Sequence, residues 1–276
     1  MIKMLKKYKS NIIFFFTVAI AALIAAAFCD LQLDKLLNNP ENIFSIWFQN
    51  TGEIPSRLIC PLAGTVLFYT YKTKLQKAAG LIISLGGSAY LGYYLGKYFF
   101  LEENRMLFSI LYGLGFGIVC LTVGRLITIP DNYRDILRAA AITGILVMFA
   151  QLLIIEGMKY LWGRVRFRDL LAAESYDAFT PWYKINGINS NKSFPSGHTA
   201  GAGMSYLMMF FPYLSEKWKQ KYQLCFWIPC VYTSVVAFTR LVVGAHYLSD
   251  VAMGGIVSFA VVLAAMKIFE KHLMKT

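Results

Sequence analysis

Charge is what this sequence has least of. Lysine, arginine, aspartate and glutamate together make 15% of its 276 residues, against 57% hydrophobic side chains. A soluble domain devotes roughly a quarter of its residues to charge, so a water-covered surface is excluded, and a mean hydropathy of +0.52 points to an integral membrane protein. Negative charge is scarcer still, with 15 acidic residues against 27 basic ones and a net charge of +12. No basic helix and no aromatic-basic strand pattern accompanies that excess, so nucleic acid is excluded as a partner, and lysines beside apolar runs are accounted for by membrane topology. The five cysteines, at positions 29, 60, 120, 225 and 230, lie in or beside apolar stretches. They read as small buried hydrophobes and offer neither a disulfide framework nor a metal framework. Histidine occurs only three times.

What fills the chain is a series of apolar runs near 11–29, 58–71, 78–100, 106–129, 137–158, 198–214, 222–244 and 248–269. A bilayer core takes about 20 helical residues, which most of these supply; 58–71 is short and 198–214 contains Pro212. Nothing alternates like barrel strands, and backbone groups in lipid must be paired internally, so the runs are expected to be helices. The expected fold is all-α, a polytopic transmembrane bundle of about eight helices. The first run follows basic residues as a signal peptide does, but no small-residue cleavage site follows Cys29, and it is read as a retained helix.

Counting lysine and arginine in alternate loops gives 16 in the set that includes both termini, from Lys3 to Lys275, and 11 in the other. Positive loops stay cytoplasmic, so both termini are expected there. With eight spans, the three segments that carry chemistry then fall on one, outer, face.

The first of these segments is Lys159 followed by Arg166, at the end of the fifth run. Each alone suits a helix flank anchored to lipid phosphates. The second is Ser193-Phe194-Pro195-Ser196-Gly197-His198, ahead of an apolar helix. Helix-terminal amides attract an anion, Ser196 adds a hydroxyl, and His198 is placed to protonate a leaving alkoxide; read blandly, Ser-Gly is an N-cap. The third is Arg240, His246 and Asp250. A cation amid apolar sequence is costly unless it faces a polar cavity, and a guanidinium matches phosphate oxygens in pairs. His246 and Asp250 stand at helical i, i+4 spacing, which lets the carboxylate hold one ring nitrogen and leaves the other nucleophilic; the plainer alternative is an acid in a first helical turn. Arg164 and Arg168 are expected to lie outside the phosphate shell, with Arg164→Ala milder than Arg166→Ala. The third histidine, His272, lies in the tail.

Taken jointly, Lys159-x6-Arg166, Pro195-Ser196-Gly197-His198 and Arg240-x5-His246-x3-Asp250 resemble the three signature motifs of the type 2 phosphatidic acid phosphatase superfamily, membrane lipid phosphatases related to vanadium haloperoxidases. The resemblance covers roughly residues 137–265. It departs at Phe167, where the family's first motif has proline, and at Thr239, where its third opens with serine. It implies a six-helix phosphatase core with extra N-terminal spans, two of the early runs being additional, re-entrant or interfacial; residues 1–130 are then N-terminal transmembrane helices and 131–276 the catalytic core of one integrated membrane domain. It further implies that His246 attacks phosphorus with Asp250 steadying the imidazolium, that Lys159, Arg166, Arg240, Ser196 and the Gly197 amide hold the phosphate oxygens, and that His198 serves as acid and then base. No cofactor and no metal is needed; the nearby acids Glu156, Asp169, Glu174 and Asp177 have no paired spacing.

The expected activity is hydrolysis of a lipid phosphomonoester or diphosphate, such as a polyprenyl diphosphate or phosphatidic acid, at the extracytoplasmic face of a bacterial plasma membrane. The loop 168–192, with Phe179, Trp182 and Tyr183, is expected to shape access. A lipid phosphotransferase using the same site, and a non-catalytic lipid-phosphate transporter, are the other classes. Acceptor-dependent products mark the first, and function surviving His246→Ala marks the second.

Overall fold

Long apolar stretches broken by short polar turns leave the backbone one way to pair its own groups, and the computed structural model is accordingly helical; it describes residues 4–99 and 102–273, with no strand among them. Lys3 and Lys275 of the basic count lie outside the described residues.

A short turn, α1 (Met4–Lys7), leads into α2 (Lys9–Leu37), after which α3 (Ile43–Thr51) precedes α4 (Ile54–Thr70), α5 (Lys74–Phe99) and α6 (Arg105–Leu126). The 32-residue α7 (Asp131–Trp162) is followed by α8 (Phe167–Ala172), a loop, and α9 (Gly197–Gly203), which passes through a 3₁₀ stretch (Met204–Phe210) into α10 (Phe211–Leu214). The chain ends with α11 (Glu216–Gln220), α12 (Tyr222–Val242) and α13 (Leu248–Leu273).

Among the described residues six helical segments are long and apolar enough to cross a membrane: 9–37, 74–99, 102–126, 131–172, 222–242 and 248–271. The remaining two expected runs are helical but irregular. α4 has 17 residues with Pro61 inside it, about 25 Å at 1.5 Å per residue. The run 198–214 is broken because three glycines in α9 give way to 3₁₀ geometry before Pro212. Both still cross the depth of the bundle. Glu53, just before α4, meets His198 at one end, while Thr70, at its close, accepts from Arg138 Nη2 at 2.7 Å near the start of α7. Tyr213 of α10 donates to Glu270 Oε1 near the end of α13 at 2.7 Å.

That far end also gathers the N-terminal residues, since Leu5 N donates to Glu270 Oε1 at 3.0 Å and Tyr8 Oη to the Tyr222 carbonyl at 3.1 Å. Between the ends an aromatic core forms, in which Phe15, Tyr206, Phe226 and Phe259 pack together. α2 runs antiparallel to α13 through this core, carrying its C-terminal turns to the opposite end. At that end α7 stops at Gly163, whose φ of +52° is the left-handed conformation a helix C-terminus uses and side chains resist. The chain then enters the loop that covers the end of the bundle.

Candidate active site

Two breaks in helix build the centre. α12 ends beyond Arg240 because Gly244 adopts φ +62°; a Cβ there would stand 2.7 Å from Asn38 Oδ1, so the turn requires glycine. The turn folds back so that Ala245 N and His246 N both donate to the Arg240 carbonyl, at 3.1 and 3.3 Å. His246 therefore sits two residues before α13, and the shared helix face expected for His246 and Asp250 is not how they meet. Asp250 instead reaches back from the first turn of α13 to accept the Tyr247 amide at 3.0 Å, capping the helix.

His246 is 3% exposed. Its Nδ1 stands 2.8 Å from the Ser193 carbonyl and 3.5 Å from Asp250 Oδ2. A carbonyl only accepts, so Nδ1 carries the proton and Nε2 keeps the lone pair. The nearer partner is thus a backbone oxygen from the second motif, and Asp250 acts on the ring as a second, electrostatic neighbour. Burial drives the imidazole pKa down to about 4, with Arg240 and Arg166 reinforcing the fall and Asp250 opposing it. The ring is neutral near pH 7.

Ser193 does double service, since its Oγ donates to Asp250 Oδ2 at 2.5 Å. Ser196 Oγ accepts the Thr199 amide at 3.3 Å, so the plainer capping role is realised and its own proton remains to donate. His198 is the second residue of α9, with Nδ1 3.2 Å from Glu53 Oε1, while its Nε2 is buried with no partner. Burial, then the positive surroundings of Arg240 and His246, hold its pKa at about 3 against the pull of Glu53.

The cations arrive from three elements. Lys159, in the last turn of α7, pairs with Glu156 Oε1 at 2.6 Å, and its Nζ lies 2.8 Å from where a Cβ on Gly197 would be; only glycine lets the ammonium lie against this bend. Arg166 is the residue before α8, with a buried Nε that has no partner. Arg240, 3% exposed, contacts Gln49 Oε1 through both terminal nitrogens at 3.3 and 3.4 Å and keeps a buried Nε without a partner. The structure thus brings Lys159, Arg166, Gly197, His198, Arg240, His246 and Asp250 to one end of the bundle, leaving unpaired nitrogens of Arg166, Arg240 and His198 there. Buried polar atoms are normally hydrogen-bonded, so the orphaned guanidinium nitrogens of Arg166 and Arg240 beside His198 mark a candidate position for an anion.

Arg164 is where the sequence reading needs correction. Its donors are spent on protein partners, and it is not peripheral. Fully buried, it donates through Nη1 to Asp250 Oδ1 and Ser249 Oγ, each at 2.7 Å, through Nη2 to Asp30 Oδ2 at 2.9 Å, and through Nε to the Thr180 carbonyl at 2.8 Å. Its guanidinium lies 4.1 Å from the centre of the Tyr247 ring. Arg164→Ala is therefore now expected to be no milder than Arg166→Ala, because removing Arg164 strands buried carboxylates.

Asp30 was missed altogether. Besides Arg164 it accepts the Ser249 amide at 3.0 Å and the Ser249 hydroxyl, capping α13 from another helix. The signal was legible: Asp30 and Asp34, two acids one turn apart in an otherwise apolar helix, are costly there without a purpose. Phe167 stands at the first position of α8, where proline is favoured; here a buried ring against Tyr176 and Tyr247 fixes the loop instead. Phe179 and Trp182 likewise pack inward, on Tyr247 and Phe194, and Tyr183 is the exposed one.

Among the described residues no group of three or more His, Cys, Asp or Glu side chains is arranged to hold a metal ion. A cavity of about 760 Å³ opens beside Lys159, Gly197 and Glu53 and continues between α4, α5 and α7 along Ile82, Met148 and Leu152.

Comparison with known proteins gives one match. No curated protein and no solved structure matches the chain. A family model, the PAP2 superfamily, matches residues 140–274, a stretch that holds the second half of α7 and all three motif segments. Residues 140–274 are a PAP2 superfamily domain.

Proposed function

We propose that the protein is an integral membrane lipid phosphate phosphatase that hydrolyses a lipid phosphomonoester or diphosphate through a phosphohistidine, with protein side chains alone carrying the transfer. The observation that carries this reading is the neutral His246, its Nδ1 proton given to the Ser193 carbonyl, beside the unpartnered nitrogens of Arg166, Arg240 and His198.

In this reading His246 Nε2 attacks phosphorus and the ring becomes an imidazolium, which Asp250 stabilises at 3.5 Å. Lys159, Arg166, Arg240, Ser196 and the Gly197 amide hold the phosphoryl oxygens as charge spreads over them. His198 protonates the departing oxygen and then takes a proton from the water that cleaves the phosphoenzyme. The apolar continuation of the cavity supports a lipid as the carrier of the phosphate: Ile82, Met148 and Leu152 offer nothing to a sugar or a nucleotide. Residues 131–276 form the catalytic core and 1–130 brace it. The basic loops at the far end support a cytoplasmic position for that end and an outer-face position for the site, where a polyprenyl diphosphate or phosphatidic acid is within reach.

The test is phosphate release from a panel of lipid phosphates by purified protein in detergent, with EDTA and without added metal. Wild type is expected to turn over and to be inhibited by vanadate, an analogue of five-coordinate phosphorus; His246→Ala is expected to lose at least about a thousandfold. Undiminished release by His246→Ala overturns the reading. Adding acceptor alcohols to the same assay separates hydrolysis from transfer.

A further inference from the structure

The carboxylate that meets His198 lies outside the matched segment and has no part in the scheme above. Glu53 precedes α4, its side chain is 13% exposed, and Oε1 stands 3.2 Å from His198 Nδ1. Resting on the phosphatase reading, we infer that Glu53 is the positioning residue for His198: it fixes the ring so that Nε2 faces the phosphate, and it supports the positive charge His198 carries in each half of the reaction.

The carboxylate is built in from three sides. Oε2 is held by Arg57, one helical turn along. Arg57 is itself fixed from α5, donating to Tyr90 Oη at 2.9 Å with its guanidinium 4.8 Å from the centre of that ring and 5.1 Å from that of Tyr94. On the other side Gly201 leaves the room, since a Cβ there would come within 3.1 Å of Glu53 Cγ. Burial works against ionisation of Glu53, and the neighbouring His198, Arg57 and Lys159 outweigh it, holding the carboxyl below its ordinary pKa. The groups acting on His198 are Glu53, Arg240, His246 and the Gln49 backbone. Glu53 is the one negative charge in that set, so it offsets two cationic or potentially cationic neighbours.

The chemistry needs such an offset. The anionic phosphate arriving against Nε2 adds its negative charge to that of Glu53 and lets His198 take up a second proton. When His246 Nε2 bonds to phosphorus and the P–O bond to the lipid breaks, the alkoxide takes that proton from His198 Nε2, leaving a neutral ring with its remaining proton on Nδ1, toward Glu53. Water then attacks phosphorus and gives its proton to His198 Nε2 as the N–P bond breaks. His246 returns neutral, phosphate leaves, and His198 is again protonated for the next turn. Without Glu53 the imidazolium faces Arg240 and His246 with no negative side chain to offset them, and protonation of the leaving group weakens.

The experiment compares wild type, Glu53→Gln, Glu53→Asp and Gly201→Ala in detergent, with dioctanoyl phosphatidic acid, whose alkoxide needs a proton to leave, and p-nitrophenyl phosphate, whose phenolate does not. Glu53→Gln is expected to lose on the order of 100-fold in kcat/KM on phosphatidic acid and far less on p-nitrophenyl phosphate, to accumulate acid-labile phosphoenzyme from the latter, and to move the alkaline limb of its pH profile to lower pH. Glu53→Asp is expected to restore part of the loss. Gly201→Ala, which displaces the carboxylate without removing a charge, is expected to reproduce the leaving-group dependence in weaker form, and it keeps the test intact if Glu53→Gln does not fold. Folded Glu53→Gln or Gly201→Ala with an unmoved alkaline limb and an unchanged ratio between the two substrates overturns the role of Glu53. A wild type that forms no phosphohistidine overturns the phosphatase reading instead.

Discussion

Replacing Arg164 by methionine keeps most of the side-chain volume and removes the charge that holds two helices to the site. In the wild type one guanidinium reaches Asp250 at 2.7 Å and Asp30 at 2.9 Å, with all three side chains at most 1% exposed. Charges so fully withdrawn from water depend on one another, and removing one partner of such a pair costs about 3–5 kcal/mol. Two carboxylates lose their partner here, so the upper part of that range applies, out of a total stability on the order of 5–15 kcal/mol. At about 2–4 °C per kcal/mol for a chain of this size, the thermal midpoint in detergent should fall on the order of 10 °C or more. Activity should fall with it, because Asp250 loses the contact that fixes Oδ1 while Ser193 and His246 depend on Oδ2. Combining Arg164→Met with Asp30→Asn should recover part of the loss, since one stranded charge is removed. Arg166→Met is the contrast: its buried Nε has no partner, so its loss strands no tightly paired carboxylate and should cost turnover and little stability. An Arg164→Met protein that melts within about 2 °C of wild type and turns over normally refutes the reasoning.

Other outcomes follow from the same geometry. His246 is buried neutral with its pKa lowered from 6.5 to about 4, so the unfolded chain binds the extra proton first; stability should be intact above pH 6.5 and fall by about 3 kcal/mol as the pH drops toward 4, read as a pH-dependent thermal midpoint that flattens in His246→Asn. Gly244→Ala places a Cβ at φ +62° and 2.7 Å from Asn38 Oδ1, which should cost about 1–3 kcal/mol and shift His246, lowering kcat more than it raises KM.

Much of the candidate site was legible because it is made of rare residues at short spacing. With so few histidines, two of them fell in motif segments, and Arg240 stood out as a cation in apolar sequence. Helical runs were legible for a similar reason, since lipid leaves the backbone no other way to pair its groups. What sequence misjudged was the nearest partner of His246 and the place of Arg164. Asp250 was matched to His246 by i, i+4 spacing, yet the turn at Gly244 lifts His246 out of the helix and hands its proton to Ser193. Arg164 looked like a spare cation beside Arg166 because spacing along a strand of loop says nothing about which side chain turns inward.

The sequence alone therefore determined that the chain is helical and membrane-embedded and which residue types can handle a phosphate, because hydropathy and motif spacing are local properties. The tertiary structure decided that Asp30 and Glu53, from helices far upstream of the motifs, stand against Arg164 and His198. Those pairings are set by how the helices cross, and a contact between residues more than a hundred positions apart leaves no periodic trace in either segment.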